Sequence, residues 1–332
     1  MASIRPRILS RLSAPSRLKN NNMVFKRQFA KGHDIENMLQ QKSSWETYPD
    51  SIRKLAVFAE HARAHNYQIP LLSKAQQGDF DQARAYHVAA AIRQLREMNG
   101  EVIAGRKIGF SNKNLWPKYG IQESNWSYMY QNTVVDLPEK SELGEGKVVM
   151  ANISHMWALE PRIEPEIIFG LKRPVNPSMS DLEFLGCIDW ISHGFEVVAS
   201  IFPHWKFTAV DCTAAFALHG LLLVGPKQSL SSPGLMGDKL LENLKNFNVE
   251  LQRNKEKVAN GTGSNVLGSP ILALRHLTEL LAKDEHNKPL QAGEVVTTGT
   301  LTDAMPIKDG DHWSTKVDGI NLPGLEVTFK LQ

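Results

Sequence analysis

Arg162-Ile163-Glu164-Pro165-Glu166-Ile167-Ile168-Phe169-Gly170 places two carboxylates two residues apart inside an apolar run. Residues two apart on a β-strand share a face, so Glu164 and Glu166 point one way while Ile163, Pro165 and Ile167 point the other. In a half-buried strand the two acids repel and lose hydration together. Either one takes up a proton or a cation sits between them. Oxygen-only ligands favour magnesium, manganese or calcium over zinc, and magnesium keeps waters that a chelating substrate displaces. The alternative is a solvated edge strand with both glutamates in water.

Further candidates lie on both sides of this stretch. In Ser192-His193-Gly194-Phe195-Glu196-Val197-Val198, Gly194 is expected to end a helix and the apolar residues to start a buried strand. A glutamate there is costly without a partner, which makes Glu196 a third ligand, a partner for a buried arginine, or an acid turned to water. In Ala104-Gly105-Arg106-Lys107-Ile108-Gly109-Phe110, alternation sets Lys107 opposite Arg106 and Ile108, so one of the two basic residues faces inward. A desolvated lysine loses basicity, and a nearby dication pushes the same way, so Lys107 is a candidate acid/base near neutral pH. Asp211, behind Trp205-Lys206-Phe207-Thr208-Ala209-Val210, either orients that lysine or a metal-bound water, or caps a turn. Thr297-Thr298-Gly299-Thr300 ends a strand with hydroxyls and a glycine that lets a ligand approach the backbone. Gly299, Thr300, Trp126 and Lys206 are the substrate-binding candidates. Trp126 alternates with Tyr128 and Tyr130, a stripe that walls a pocket or fills a core.

The rest of the chain frames these motifs. Residues 34–100 read as helical. Pro49-Asp50-Ser51 opens one segment, with Ile52, Leu55, Ala59 and Ala62 at helical spacing and Asn66 near its end. A second starts near Asp79 or Asp81, carries Val88, Ile92 and Leu95, and stops at Asn99-Gly100. After Gly100 the pattern changes to short strands at 101–109, 162–170, 194–199, 219–225, 248–253, 294–300 and 324–331. Two helices interrupt them. Ser180-Asp181-Leu182-Glu183 is a capping-box pattern before Leu185, Ile188 and Ile191, and Ser269-Pro270 is an N-cap with proline behind it. Strands with helices at irregular intervals fit an α+β roll or barrel, with a helical cap at 30–100 and a catalytic domain at 101–332, rather than a doubly wound sheet.

The first residues differ in kind. Arg5, Arg7, Arg11, Arg17, Lys19, Lys26, Arg27 and Lys31 all precede Asp34, the first acid, and Ile4, Ile8 and Leu12 fall on one helical stripe among serines. That is the composition of a mitochondrial transit peptide, residues 1–29, and it implies the matrix. Cleavage after Phe29 removes seven of 38 basic residues and leaves 31 against 35 acids, turning a net charge of +3 into −4. A nucleic-acid-binding mature surface is not expected on that balance. With 42% hydrophobic and 22% charged residues the chain is ordinary for a globular protein, and no apolar run reaches the length of a membrane span. Cys187 and Cys212 show no zinc spacing and no disulfide framework. His155, His193, His204 and His219 have no metal-binding spacing and read as structural. No Gly-x-Ser-x-Gly elbow or phosphate-loop lysine is present.

Five ordered motifs point further: Ala104 to Phe110, Arg162 to Glu166, His193-Gly194-Phe195-Glu196, Ser264-Asn265-Val266-Leu267-Gly268-Ser269-Pro270, and Gly293-Glu294-Val295-Val296-Thr297-Thr298-Gly299-Thr300. Together they resemble the hydratase/decarboxylase branch of the fumarylacetoacetate hydrolase superfamily, over roughly residues 45–332. The resemblance implies a mixed β-roll, magnesium or manganese held by Glu164, Glu166 and Glu196, and Lys107 as acid/base. It implies a small unsaturated 2-oxo acid as substrate, hydrated or decarboxylated through its enolate, and a homo-oligomer. Carbon-carbon hydrolysis or tautomerisation of oxo acids is the alternative within the superfamily, and a non-catalytic relative the alternative outside it. One departure is visible: bacterial relatives tend to carry asparagine where this chain has Cys212 after Asp211.

Overall fold

The computed structural model describes residues 47–332 apart from 76–78, 144–146, 231–236 and 285–286. The expected transit segment and the opening of the helical cap lie outside the described residues.

Two helices lead. In α1 (Asp50–Ala64), Ile52, Leu55, Ala56, Ala59 and Ala62 are buried, one stripe at helical spacing. It ends where Asn66 turns left-handed at φ 58°. In α2 (Gln82–Met98) the Asp81 carboxylate accepts the Arg84 amide at 2.8 Å, satisfying a donor that the first turn leaves open. Such a cap contributes about 1 kcal/mol. Gly100, at φ 81°, ends it as the Asn99-Gly100 signal requires. Val88, Ile92 and Leu95 of α2 face the same core as α1.

Among the described residues fourteen strands follow, with four further helices of more than one turn. In chain order the strands are β1 (Ile103–Gly109), β2 (Asn125–Tyr130), β3 (Val134–Asp136), β4 (Val149–Asn152), β5 (Arg162–Leu171), β6 (Ile188–Val198), β7 (His219–Val224), β8 (Gln228–Ser229), β9 (Asn248–Arg253), β10 (Glu256–Thr262), β11 (Val295–Thr297), β12 (Met305–Pro306), β13 (His312–Asp318) and β14 (Glu326–Lys330). The helices are α3 (Asp181–Cys187), α4 (Ala209–Ala214), α5 (Gly237–Asn246) and α6 (Pro270–Ala282). The larger sheet runs β2-β1-β11-β5-β6-β7-β3, with β12 on β5 and β8 on β6. It is mixed: β1 pairs with β11 in parallel and with β2 antiparallel. The second sheet runs β10-β9-β13-β14-β4. Trp313 of β13, fully buried, and Phe329 of β14 pack into the same core as α1 and α2.

Sequence and structure part company at α3. Its capping box forms as expected, with Ser180 and Glu183 satisfying each other's backbone amides. The helix nevertheless stops at Cys187, and Ile188 to Val198 is one continuous strand in which Gly194 is interior. Ile188 and Ile191 fit a helical stripe or a strand equally well. Pairing with β5 decides for the strand. Gly194 there is a packing requirement, because a Cβ would stand 2.2 Å from Ile168 Cδ1. The strands β2, β3, β4, β8, β10, β12 and β13 and the helices α4 and α5 were also not among the elements expected from pattern alone.

Candidate metal and acid-base site

The ladder between β5 and β6 builds the acid cluster. Glu164 lies directly opposite Glu196, and Glu166 opposite Gly194, so the glycine leaves room where a fourth side chain would stand. One carboxylate oxygen from each of Glu164, Glu166 and Glu196 lies within 4.8 Å of the others. Glu166 and Glu196 are 1% and 0% exposed. Each acid is held from behind. The Gly299 amide donates to Glu166 Oε2 at 2.8 Å. His219 Nδ1 is 2.7 Å from Glu196 Oε1, and its Nε2 is 2.9 Å from Thr133 Oγ1. His193 Nδ1 donates to the Glu166 carbonyl at 3.0 Å, with Nε2 2.9 Å from the Thr315 hydroxyl. Burial keeps His193 neutral, its pKa lowered to about 4.

Lys107 enters from β1. Its Nζ donates to the Ala217 carbonyl at 2.9 Å and stands 3.2 Å from Glu196 Oε2. Ala217 is the middle of three consecutive left-handed residues, Phe216, Ala217 and Leu218, at φ 49°, 45° and 62°. Three such residues in a row are strained, and the turn they make aims that carbonyl at the ammonium. The expectation that Lys107 loses basicity is corrected here. Burial does act in that direction, but Glu196, Glu164 and Glu166 together hold its proton affinity above the ordinary lysine value.

The acids divide the remaining protons among themselves. Burial, reinforced by Glu196, raises Glu164 to about 7 despite Lys107, and burial with Glu196 and Glu164 holds Glu166 well above the ordinary carboxylate value. Burial opposes ionisation of Glu196 as well, yet Lys107 and His219 hold it below the ordinary carboxylate value. Glu196 Oε2 accepts no well-directed hydrogen bond although the ammonium is close. An all-oxygen set with one orphaned buried oxygen and two acids of raised proton affinity fits a hard dication, which would replace their protons.

The cavity beside the cluster has a volume of about 240 Å³. Lys107, Glu164, Glu166, Gly299 and Thr300 line it. Gly299 has φ 95°, and a Cβ would meet Ser111 Oγ at 1.7 Å, so only glycine fits where the strand passes the cavity. The opposite wall is apolar: Val198, Cys212 and Leu218 form a small cluster with Phe110, Trp205, Phe207 and Ala304 packed on it, and all seven line the cavity. Cys212 is buried and its thiol is pushed up to about 12, first by burial, which leaves it neutral.

Three of the sequence candidates lie elsewhere. Asp211 is fully buried but turned away from the cavity: it accepts the Ser73 amide and hydroxyl at 2.8 and 2.9 Å and forms a capping box with Thr208 at the start of α4. It is the turn cap among its two readings. Trp126 lies opposite Ile108 in the β1–β2 register, so its ring is on the other face of the sheet from Lys107. There it stacks on Tyr86 with centroids 5.7 Å apart and lines a separate small cavity. Lys206 is exposed, and only its neighbours Trp205 and Phe207 face the site.

Asn125 and His219 were missed. Asn125 lies opposite Gly109 on Lys107's face, lines the cavity, and donates to Thr213 Oγ1 at 3.1 Å. The Trp126, Tyr128, Tyr130 stripe carried the signal, since alternation puts Asn125 and Ser127 on the opposite face. His219 gives no sequence signal, because its partner on β6 is 23 residues away.

A family model described as fumarylacetoacetate (FAA) hydrolase C-terminal matches residues 119–328. The chain is 26% identical to a 2-hydroxyhexa-2,4-dienoate hydratase of Comamonas testosteroni over 74% of this chain and 85% of that protein. It is 25% identical to a 4-oxalocrotonate decarboxylase of Pseudomonas sp. (strain CF600) over 82% and 94%. The solved 4-oxalocrotonate decarboxylase from Pseudomonas putida G7, complexed with magnesium and adipate, superposes with a TM-score of 0.71 at 24% identity, covering 87% of this chain and all of that one. That likeness shows the mixed roll expected from the sequence.

Proposed function

Because the chain belongs to the fumarylacetoacetate hydrolase C-terminal family, we propose that it is a divalent-metal-dependent lyase acting on small unsaturated 2-oxo acids. The reaction is hydration of 2-hydroxypenta-2,4-dienoate-type substrates or decarboxylation of 2-oxo-3-enedioates. The observation that carries the reading is three clustered carboxylates facing one buried ammonium beside a cavity of about 240 Å³. Hydratases and a decarboxylase among the relatives support it.

Glu164, Glu166 and Glu196 would hold magnesium or manganese, which supplies Lewis-acid stabilisation of negative charge on the oxygens of a chelating 2-oxo acid. Lys107 Nζ, held between the Ala217 carbonyl and Glu196, is the proton source for the substrate carbon that becomes saturated. The Ala217 carbonyl fixes where that proton sits. Gly299 and Thr300 form the wall at the Glu166 end. The apolar wall keeps bulk water from the reacting atoms. A hydrolytic reading requires a base facing a water in the cavity. The histidine closest to the acids, His219, stands behind Glu196 and is not part of the lining.

A panel of 2-oxo acids assayed with magnesium, reading dienol absorbance and carbon dioxide together, tests the reading. Turnover of at least one dienol or enedioate, lost on chelation, is expected; no turnover across the panel, or turnover indifferent to chelation, refutes it. The arginine-rich, acid-free opening before Asp34 supports placing the reaction in the mitochondrial matrix. Mass spectrometry of native protein should find an N-terminus near Ala30, and an intact Met1 in matrix-resident protein would contradict this.

A further inference from the structure

The two walls of the cavity differ in chemistry, and the β5–β6 ladder orders them. From Glu166 the pairs on this face run through Glu164–Glu196 to Arg162–Val198, so Val198 sits two residues beyond Glu196 on the same face. Around Val198 the lining becomes apolar: Cys212 and Leu218 complete its cluster, and the rings of Trp205 and Phe207 close over it. A neutral thiol adds no charge to that wall.

Two charged residues border this part of the cavity, Arg162 and Asp303. The Arg162 guanidinium lies over the Trp205 ring, 4.0 Å from its centroid, and its field acts back on Glu164. Asp303 is exposed and carries the opposite charge. Their formal charges sum to zero. A carboxylate carried onto Val198, Cys212 and Leu218 would lose hydration against side chains that carry no charge, whereas methylenes would leave water for a matching surface.

We infer that the cavity selects 2-oxo acids with a short hydrocarbon tail over those ending in a second carboxylate, a selection that rests on the 2-oxo-acid reading above. On this inference the hydration reaction, whose substrates carry a hydrocarbon tail, is the native one of the two. Val198, Cys212 and Leu218 are the specificity-determining residues, acting through surface rather than through a bond.

Calorimetry on the magnesium-loaded protein with saturated probes tests this without relying on turnover. Along 2-oxobutanoate, 2-oxopentanoate and 2-oxohexanoate the affinity should tighten about fourfold per methylene until the wall is covered. 2-Oxoglutarate, with the chain length of 2-oxopentanoate and a terminal carboxylate, should bind at least about tenfold more weakly than it. Ala304→Lys adds a cation at the rim, on a half-buried residue outside the acid cluster, and should narrow that gap while leaving magnesium affinity unchanged. Equal or tighter binding of 2-oxoglutarate by the parent protein overturns the tail selection alone. Magnesium binding with no response to any of the four probes overturns the 2-oxo-acid reading and the selection with it.

Discussion

Arg106 and Lys107 are chain neighbours on β1, equally buried at 3% exposure, and they face opposite sides of the sheet. Arg106 meets one acid, Glu294, at 3.5 Å, and lies near the rings of Tyr128 and Trp126, 4.9 and 5.6 Å from their centroids. Lys107 meets three acids that also crowd one another. Around Arg106 charge is balanced one to one and aromatic faces take up the remainder, which is how a buried ion is tolerated in a core. Around Lys107 the acids outnumber the cation, and two of them hold their protons more tightly than an ordinary carboxylate. Burial of a charge therefore does not mark the site; an imbalance that the protein alone does not neutralise does.

Exchanging the two cations for methionine should separate these environments most strongly. Lys107→Met keeps the stem's volume and should lower turnover by about 10²- to 10⁴-fold, with magnesium affinity retained by calorimetry. Arg106→Met should leave turnover of the folded protein near normal and cost about 3 kcal/mol of stability by stranding Glu294. Near-normal turnover in Lys107→Met would assign the proton to another group and undo the contrast.

The acids make the next pair. Glu166→Gln removes one ligand charge and should weaken manganese or magnesium binding by about tenfold or more. Glu294→Gln should leave it unchanged. Equal affinities in the two variants would show that the β5–β6 cluster is not where the ion sits.

The smallest effect is in pH. The folded-state pKa of Glu164 is raised from 4.5 to about 7, and Glu166 is raised as well, so folded protein holds protons that unfolded chain releases. The stability this contributes to metal-free protein is complete below 4.5 and is lost as pH rises through about 7. A dication takes the deprotonated acids, so manganese should raise the melting temperature more at pH 8 than at pH 6. Melting curves recorded after chelation and after manganese addition at both values check the sign, and equal shifts would mean that Glu164 and Glu166 are not what the ion displaces protons from.

Much of this was legible in the chain. Both N-terminal helices, α6 and the core of each expected strand follow from spacing and caps, because those signals act within a few residues. The acid pair was legible for the same reason: Glu164 and Glu166 are two apart on one strand. One candidate lay elsewhere because the side chain's facing depended on a partner strand, and two because of local turns. Trp126 faces away because Ile108 is its register partner, and Lys206 lies between two residues that turn inward.

What sequence by itself determined is thus the local chemistry: a strand bearing two acids, a strand bearing a lysine, a capping aspartate with two possible uses. Tertiary structure alone decided that Glu196 stands opposite Glu164, that Ala217 and Glu196 hold Lys107, and that His219 backs Glu196. It also turned the lysine's proton affinity upward, since the sign is set by how many acids gather around it. Alternation and capping are fixed by bonds between near neighbours. Register, charge balance and the face opposite a metal site are fixed by residues tens of positions apart, which meet only when the sheet closes.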